Sequence, residues 1–262
     1  MKNILILLCT VFISLSGITQ CTTLSNNYVI SLPTTACSGT YSGVKVWDHL
    51  TVPTGKTLTL TSAQYNSATE ITVQSGGILN ITPQGGTFVS PNITLLGTGR
   101  LTVTGNLTAS FISGGKSSRL TVSGNLLFDG DMTMDSSSIT SATIGITAAG
   151  SVSFASTSTL SAASLYCYYG GDFSGKTTIS GTTTFDPSLA GLVINSCKFQ
   201  TATLTNNATN PISGNGYIKI TTTFGGTNSL TTDSNIRIYK AAGSGNAGSA
   251  TVLGAAISPE PC

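Results

Sequence analysis

The chain reads as an all-β protein, a single-domain right-handed parallel β-helix of short coils, each about 19–22 residues long. Three observations lead there. The segment Arg100-Leu-Thr-Val-Thr-Gly-Asn-Leu107 recurs almost verbatim as Arg119-Leu-Thr-Val-Ser-Gly-Asn-Leu126, so that position 119 repeats position 100. A unit that short has no core of its own and buries its apolar residues only against neighbouring copies. Within each copy the apolar residues alternate: Leu101 and Val103 fall on one face and Thr102 and Thr104 on the other, the period of a half-buried strand. Glycine pairs at 76/77, 85/86, 114/115, 170/171 and 225/226 punctuate these runs and supply the backbone angles that corners need. A β-sandwich of antiparallel hairpins is the alternative, but it does not require one strand sequence to recur intact.

The elements follow in chain order. Met1-Lys2-Asn3 is a short basic start, Ile4 to Leu15 an apolar core, and Ser16 to Gln20 a small or polar end, so residues 1–20 form an export signal. Lipidation of Cys21 after cleavage is the minor alternative. No later stretch is long and apolar enough to span a bilayer as a helix. Residues 21–50 are irregular and carry Tyr28, Tyr41, Trp47 and His49, which suits a cap over the open end of a solenoid. Residues 51–240 hold the alternating runs, among them Thr57-Leu-Thr-Leu-Thr61, Ile71-Thr-Val73 and Tyr217-Ile-Lys-Ile220. About a dozen coils at ~4.8 Å spacing give a rod of roughly 50–60 Å. The Ala/Gly/Ser composition of 241–262 reads as a flexible tail. The last strong run, Asn235-Ile-Arg-Ile-Tyr239, is thereby left open to self-association through the C-terminal end.

Six cysteines fit an oxidising compartment. Cys9 leaves with the signal. Proximity pairs Cys21 with Cys37 and Cys167 with Cys197, leaving Cys262 over. With one histidine and no C-x-x-C pair, no zinc site and no cofactor is expected.

Only 8 % of the residues are charged and the net charge is +2, too little for a basic groove that holds nucleic acid or gathers acidic polysaccharide. Asp129-Gly-Asp-Met-Thr-Met-Asp135 sets Asp131, Thr133 and Asp135 on one face, but Met134 and Thr140 stand where a calcium loop needs Gly and Glu, so an ordinary strand is expected. His49 beside Asp48 has no nucleophile in its sequence context. The aromatic residues Trp47, Tyr41, Tyr166, Tyr168 and Tyr169 offer stacking platforms for sugar rings. Thr57/Thr59/Thr61, Thr102/Thr104, Thr182/Thr183/Thr184 and Thr221/Thr222/Thr223 are regular enough to form outward ladders, a surface like that of ice-binding β-helices.

Through Gly76-Gly-Ile-Leu-Asn-Ile81, Gly99-Arg-Leu-Thr-Val-Thr-Gly-Asn-Leu107 and Ser118-Arg-Leu-Thr-Val-Ser-Gly-Asn-Leu126, residues 51 to about 240 resemble bacterial secreted β-helix proteins of the adhesin and autotransporter-passenger type. The resemblance implies export to the surface and adhesion or scaffolding; the chain shows no terminal membrane-barrel segment. The expected function is a secreted or surface-exposed, non-enzymatic rod that meets cell-envelope components or surface glycans. A carbohydrate-binding or polysaccharide-degrading β-helix and an ice-binding one are the alternatives.

Overall fold

The computed structural model describes residues 20–146, 152–155, 157–168, 170–196, 198–233, 235–241, 246–248 and 251–253. Their regular structure is entirely β, and every strand pairing is parallel to the strand one coil before or after it, giving a β-solenoid of about ten turns. The repeat falls in register: Arg100 lies beside Arg119, Leu101 beside Leu120, Thr102 beside Thr121 and Val103 beside Val122.

Each coil has three straight runs, and the repeat shows why. The first face is Arg100–Val103; residues 106–109 form the second and 111–114 the third, with the pairing interrupted at the bend between them. Alternation within a run sends every second side chain inward. On the first face Leu58, Leu79, Leu101, Leu120, Ile139 and Leu160 stack in one inward column, all nearly or fully buried. Leu107, Leu126, Ile144 and Leu165 do the same on the second face, and Leu50, Ile71, Ile93, Ile112 and Met132 on the third. Burying one such side chain contributes roughly 1.5–3 kcal/mol, realised only when the next coil covers it.

Corners are built by repeated local devices. Between the first and second faces the register shifts at Val122/Asn125, Ala162/Leu165, Ile179/Thr182 and Thr201/Thr203, so bulges at this edge absorb differences in coil length. In the repeat this edge carries Gly-Asn. Gly105 has φ 138°, and a Cβ there would sit 2.5 Å from the Gly86 carbonyl oxygen. The Asn106 side chain accepts a hydrogen bond from the Asn125 backbone N–H one coil on, at 2.9 Å. Buried hydroxyls serve other corners: Ser141 Oγ lies 2.9 Å from both the Gly124 and Thr143 carbonyl oxygens. A polar atom that cannot reach water is thus matched to carbonyls the bend leaves open.

Two ends differ from the sequence expectation. The segment expected as an irregular cap is already coiled, since Val29–Ile30 pairs with Lys45–Val46 and His49–Val52 with Glu70–Val73. At the other end, part of the expected flexible tail continues the solenoid: Asn246–Gly248 pairs with residues 224–226 and Val252–Leu253 with Leu230–Thr231. The preceding coil offers an open parallel edge, and an edge can recruit a strand whose own composition carries no alternation. The export signal, residues 1–19 with Cys9, and Cys262 lie outside the described residues.

Cys21 and Cys37 form the expected disulfide, closing the first coil with their Cα atoms 5.0 Å apart. A sulfur so engaged cannot also carry a thioether lipid, which corrects the lipid-anchor alternative. The second expected bridge is also corrected. Cys167 is a free, fully buried thiol. It sits at the inner end of the second face, in register with Phe185. Cys197 lies outside the described residues.

Candidate functional site

The outward positions form continuous columns along the rod. On the first face Thr40, Thr59, Asn80, Thr102, Thr121, Thr140, Ser161 and Thr178 follow one another coil by coil. A second column, Thr61 and Thr82, runs beside it, and the Thr104 N–H bonded to the Ile81 carbonyl oxygen at 2.8 Å brings Thr104 into the same line. The third face carries Thr51, Thr72, Thr94, Ser113, Thr133 and Ser153 in register. On the second face Thr182, Thr203 and Thr223 align.

The four threonine sets seen in the sequence therefore do not share one face. Thr57/Thr59/Thr61 and Thr102/Thr104 belong to the first; Thr182 and Thr184 look outward from the second. Thr183 points inward, fully buried, and donates to Thr201 Oγ1 at 3.0 Å. The strict alternation of a strand sends the middle of three consecutive threonines to the opposite side. Thr133 is likewise exposed between Met132 and Met134, which are buried, as the alternation predicts.

The candidate aromatic residues separate into three environments. Tyr41 packs against the core, so its ring is not a free platform. Trp47 is 39 % exposed near the N-terminal end, with the Lys45 ammonium 5.3 Å from its ring centroid. Tyr166 and Tyr168 meet several coils further on, at the end of the second face, with ring centroids 4.5 Å apart and planes tilted by 34°. Tyr169 lies outside the described residues. Tyr168 is 38 % exposed. The Tyr166 hydroxyl is held above its ordinary pKa by desolvation, by the charges of Tyr168 and Asp186, and by hydrogen bonds to their side chains. Asp186 belongs to the following coil. Asp186 was not visible as a site residue because coil lengths vary: the coil that brings Lys176 beside Thr159 is shorter than the one that brings Phe199 beside Thr177.

A second polar cluster also escaped the sequence. His49 stands on the third face, and its Nε2 shares a hydrogen bond with Thr72 Oγ1 at 2.8 Å. Its Nδ1 lies 4.0 Å from Glu70 Oε2, and Asn92 donates to Glu70 Oε1 at 2.7 Å. The order hydroxyl, imidazole, carboxylate resembles a nucleophilic triad in outline. The geometry does not reproduce one: 4.0 Å exceeds a hydrogen bond, and the His49 and Glu70 side chains are 35 % and 43 % exposed on a flat strand surface. The cluster is a set of rungs from adjacent coils, and His49 is a strand residue of the wall rather than part of an irregular cap. Among the described residues no group of three or more His, Cys, Asp or Glu could hold a metal ion, and no helix is long and apolar enough to cross a membrane.

No protein-family model matches the chain, and comparison with curated proteins and with solved structures finds no match.

Proposed function

We propose that the chain is an exported β-solenoid rod, exposed at the cell surface, that works as a structural and adhesive element rather than as an enzyme. The observation that carries this reading is the set of hydroxyl and amide columns on the three faces of the solenoid, best developed from Thr40 to Thr178 on the first. Such a surface interacts through many weak, repeated hydrogen bonds, which is the chemistry of adhesion to an extended surface. The sparse charge keeps it from acting as an ion exchanger. The Cys21–Cys37 disulfide suits an oxidising location outside the cytosol.

Protease shaving of intact producing cells, combined with an attachment assay on cells lacking the chain, tests this. Release of the protein by shaving and loss of attachment are the expected results. Retention of the protein in the cytosol, or depolymerisation of a polysaccharide by the purified chain, overturns the reading.

A second reading follows from the paired threonine columns of the first face, Thr59/Thr61 and Thr102/Thr104 with Thr82 between them. Parallel rows of hydroxyls and methyls at the ~4.8 Å coil spacing offer ice a regular template. A thermal-hysteresis measurement on the wild type and Thr102→Lys decides it: freezing-point depression abolished by the substitution is expected, and no depression in the wild type ends the idea.

A further inference from the structure

The Tyr166–Tyr168 pair is the first rung of a longer strip. Along the second face Tyr166 lies beside Thr184, Thr184 beside Thr205 and Thr205 beside Gly225. The corner next to it stacks in the same order. The Asp186 N–H donates to the Cys167 carbonyl oxygen at 2.9 Å and the Asn207 N–H to the Phe185 carbonyl oxygen at 2.9 Å, which places Tyr168, Asp186 and Asn207 in register. Asn207 Oδ1 then accepts from both the backbone N–H and the hydroxyl of Thr227, each at 3.1 Å. Four successive coils thus present the pairs Tyr166/Tyr168, Thr184/Asp186, Thr205/Asn207 and Gly225/Thr227.

The strip has a direction and a chemistry. At one end two rings are held together, one of them well exposed. Beyond them come a carboxylate, an amide and hydroxyls at the ~4.8 Å coil spacing, and then Gly225, which has no side chain to stand in the way. On the other side of the rings Tyr166 lies in register with Gly145, which has no side chain, and Gly145 with the exposed Leu127. None of the eight strip positions is basic. A polyanion therefore meets a carboxylate and no cation, whereas a neutral sugar meets an aromatic face for its C–H surface and acceptors for its hydroxyls.

We infer that the strip from Tyr166 and Tyr168 to Thr227 is a binding site for a neutral, linear glycan lying along the solenoid axis, with one sugar ring stacked on Tyr168 and the next ones bonded to Asp186 and Asn207. The inference deepens the adhesive reading by naming what is gripped, and rests on that reading only for its biological setting.

The test is retention of the purified full-length chain in affinity electrophoresis through gels holding a mannan, a β-1,3-glucan or hydroxyethyl cellulose, with polygalacturonate as the anionic counterpart. The expected result is retention by at least one neutral polymer, weakened about tenfold by Tyr168→Ala, the loss of one good aromatic contact. Asp186→Ala weakens it similarly, and Phe111→Ala, an exposed aromatic of the third face, leaves it unchanged. If Tyr168→Ala disturbs folding by circular dichroism, Thr205→Arg, which only adds bulk and charge to the outside of the strip, takes its place. Retention by no neutral polymer, equal retention by the strip variants, or retention by polygalacturonate alone overturns the inference. Those results leave the surface-rod reading standing, because that reading is decided by shaving, cell attachment and the absence of depolymerisation, none of which requires this strip.

Discussion

The coils before Ser141 and those after it solve the same packing problem with different residues. In the first group the inward columns of the first face are wholly aliphatic: Leu58, Leu79, Leu101 and Leu120 in one, Leu60, Ile81, Val103 and Val122 in the other. In the second group the same columns admit Thr177 and Thr201, and the second face admits Thr183 and Asn206, all buried. Large rings accompany them. Phe154 stacks on Phe173 with centroids 5.4 Å apart, Phe173 meets Phe199 edge-on at 5.8 Å, and Phe185 lies 6.5 Å from Phe199.

Small inward hydroxyls beside large inward rings keep each layer filled, so a solenoid constrains the volume of a layer more tightly than the identity of any one residue. The same exchange appears singly at Gly114, where an added Cβ would lie 2.6 Å from Met134 Sδ: the long side chain of one coil occupies the room left by its neighbour. The hydroxyls that come with this solution are satisfied locally. Thr201 Oγ1 reaches the Thr203 carbonyl oxygen at 2.8 Å while accepting from Thr183.

Removing a ring has the largest expected effect. Phe173→Ala takes away the aromatic residue that touches Phe154 on one side and Phe199 on the other, and should cost about 3–5 kcal/mol. Leu101→Ala, buried in the aliphatic group between similar neighbours, should cost less, about 2–3 kcal/mol. Urea titration of the two variants measures the difference. A larger loss for Leu101→Ala would mean that the aromatic coils tolerate a void better than their packing indicates.

Next in size is the disulfide, which lies in the first group. Its two cysteines are 16 residues apart, and loop closure on that scale stabilises by about 3 kcal/mol. In the Cys21→Ser, Cys37→Ser double variant, amide exchange should quicken at Ile30 and Val46, which lie in the coils it closes, while Ile218 and Ile220 keep their protection, because each coil leans only on its neighbours. Uniform loss of protection along the chain would show that the solenoid opens as one unit.

Much of this architecture was legible in the residues. The recurrence of one strand sequence placed Arg100 over Arg119, and the period of two sent Met132 and Met134 inward and Thr133 out. What the sequence could not carry is the coil-to-coil register once coil length changes. Asp186 comes beside the tyrosine pair only because the bulge at Ala162/Leu165 absorbs a change in coil length, and Thr72 meets His49 across a coil whose length no repeated strand sequence announces. Distance along the chain also misled. Cys167, which proximity assigned to a bridge, is a free buried thiol, because position along the coil rather than separation in sequence decides what a side chain faces. The strand at 246–248 left no trace because Ala and Gly display no inside and outside, and Val252–Leu253, only two residues long, is too short to show an alternation.

Cys167, inside the second group, makes the stability of those coils depend on pH. Burial pushes its thiol from 9.0 up to about 12, so the folded chain keeps the proton where the unfolded chain has already released it. Its contribution is complete below about pH 9 and is lost as the pH rises toward the folded value, at about 1.4 kcal/mol per pH unit. Between pH 8 and 10.5 the wild type should therefore lose about 2 kcal/mol more than Cys167→Ala. Parallel curves for the two proteins would show that water reaches the thiol in that layer.

The smallest expected effect separates two serines at one corner. Ser118 and Ser158 occupy the same position of the turn that leads into the first face, and both are buried. Ser158 Oγ donates to the Met134 carbonyl oxygen at 2.8 Å, whereas Ser118 Oγ has no hydrogen-bond partner among the described residues. Removing a satisfied hydroxyl loses its bond, so Ser158→Ala should cost about 1 kcal/mol. Removing an unsatisfied one relieves a desolvation penalty, so Ser118→Ala should be neutral or stabilising by up to about 1 kcal/mol. The shift in urea midpoint should thus differ in sign or vanish in one case. Equal destabilisation by both would show that Ser118 finds a buried water, and that the aliphatic coils contain a hydrated corner where their side-chain pattern calls for a dry one.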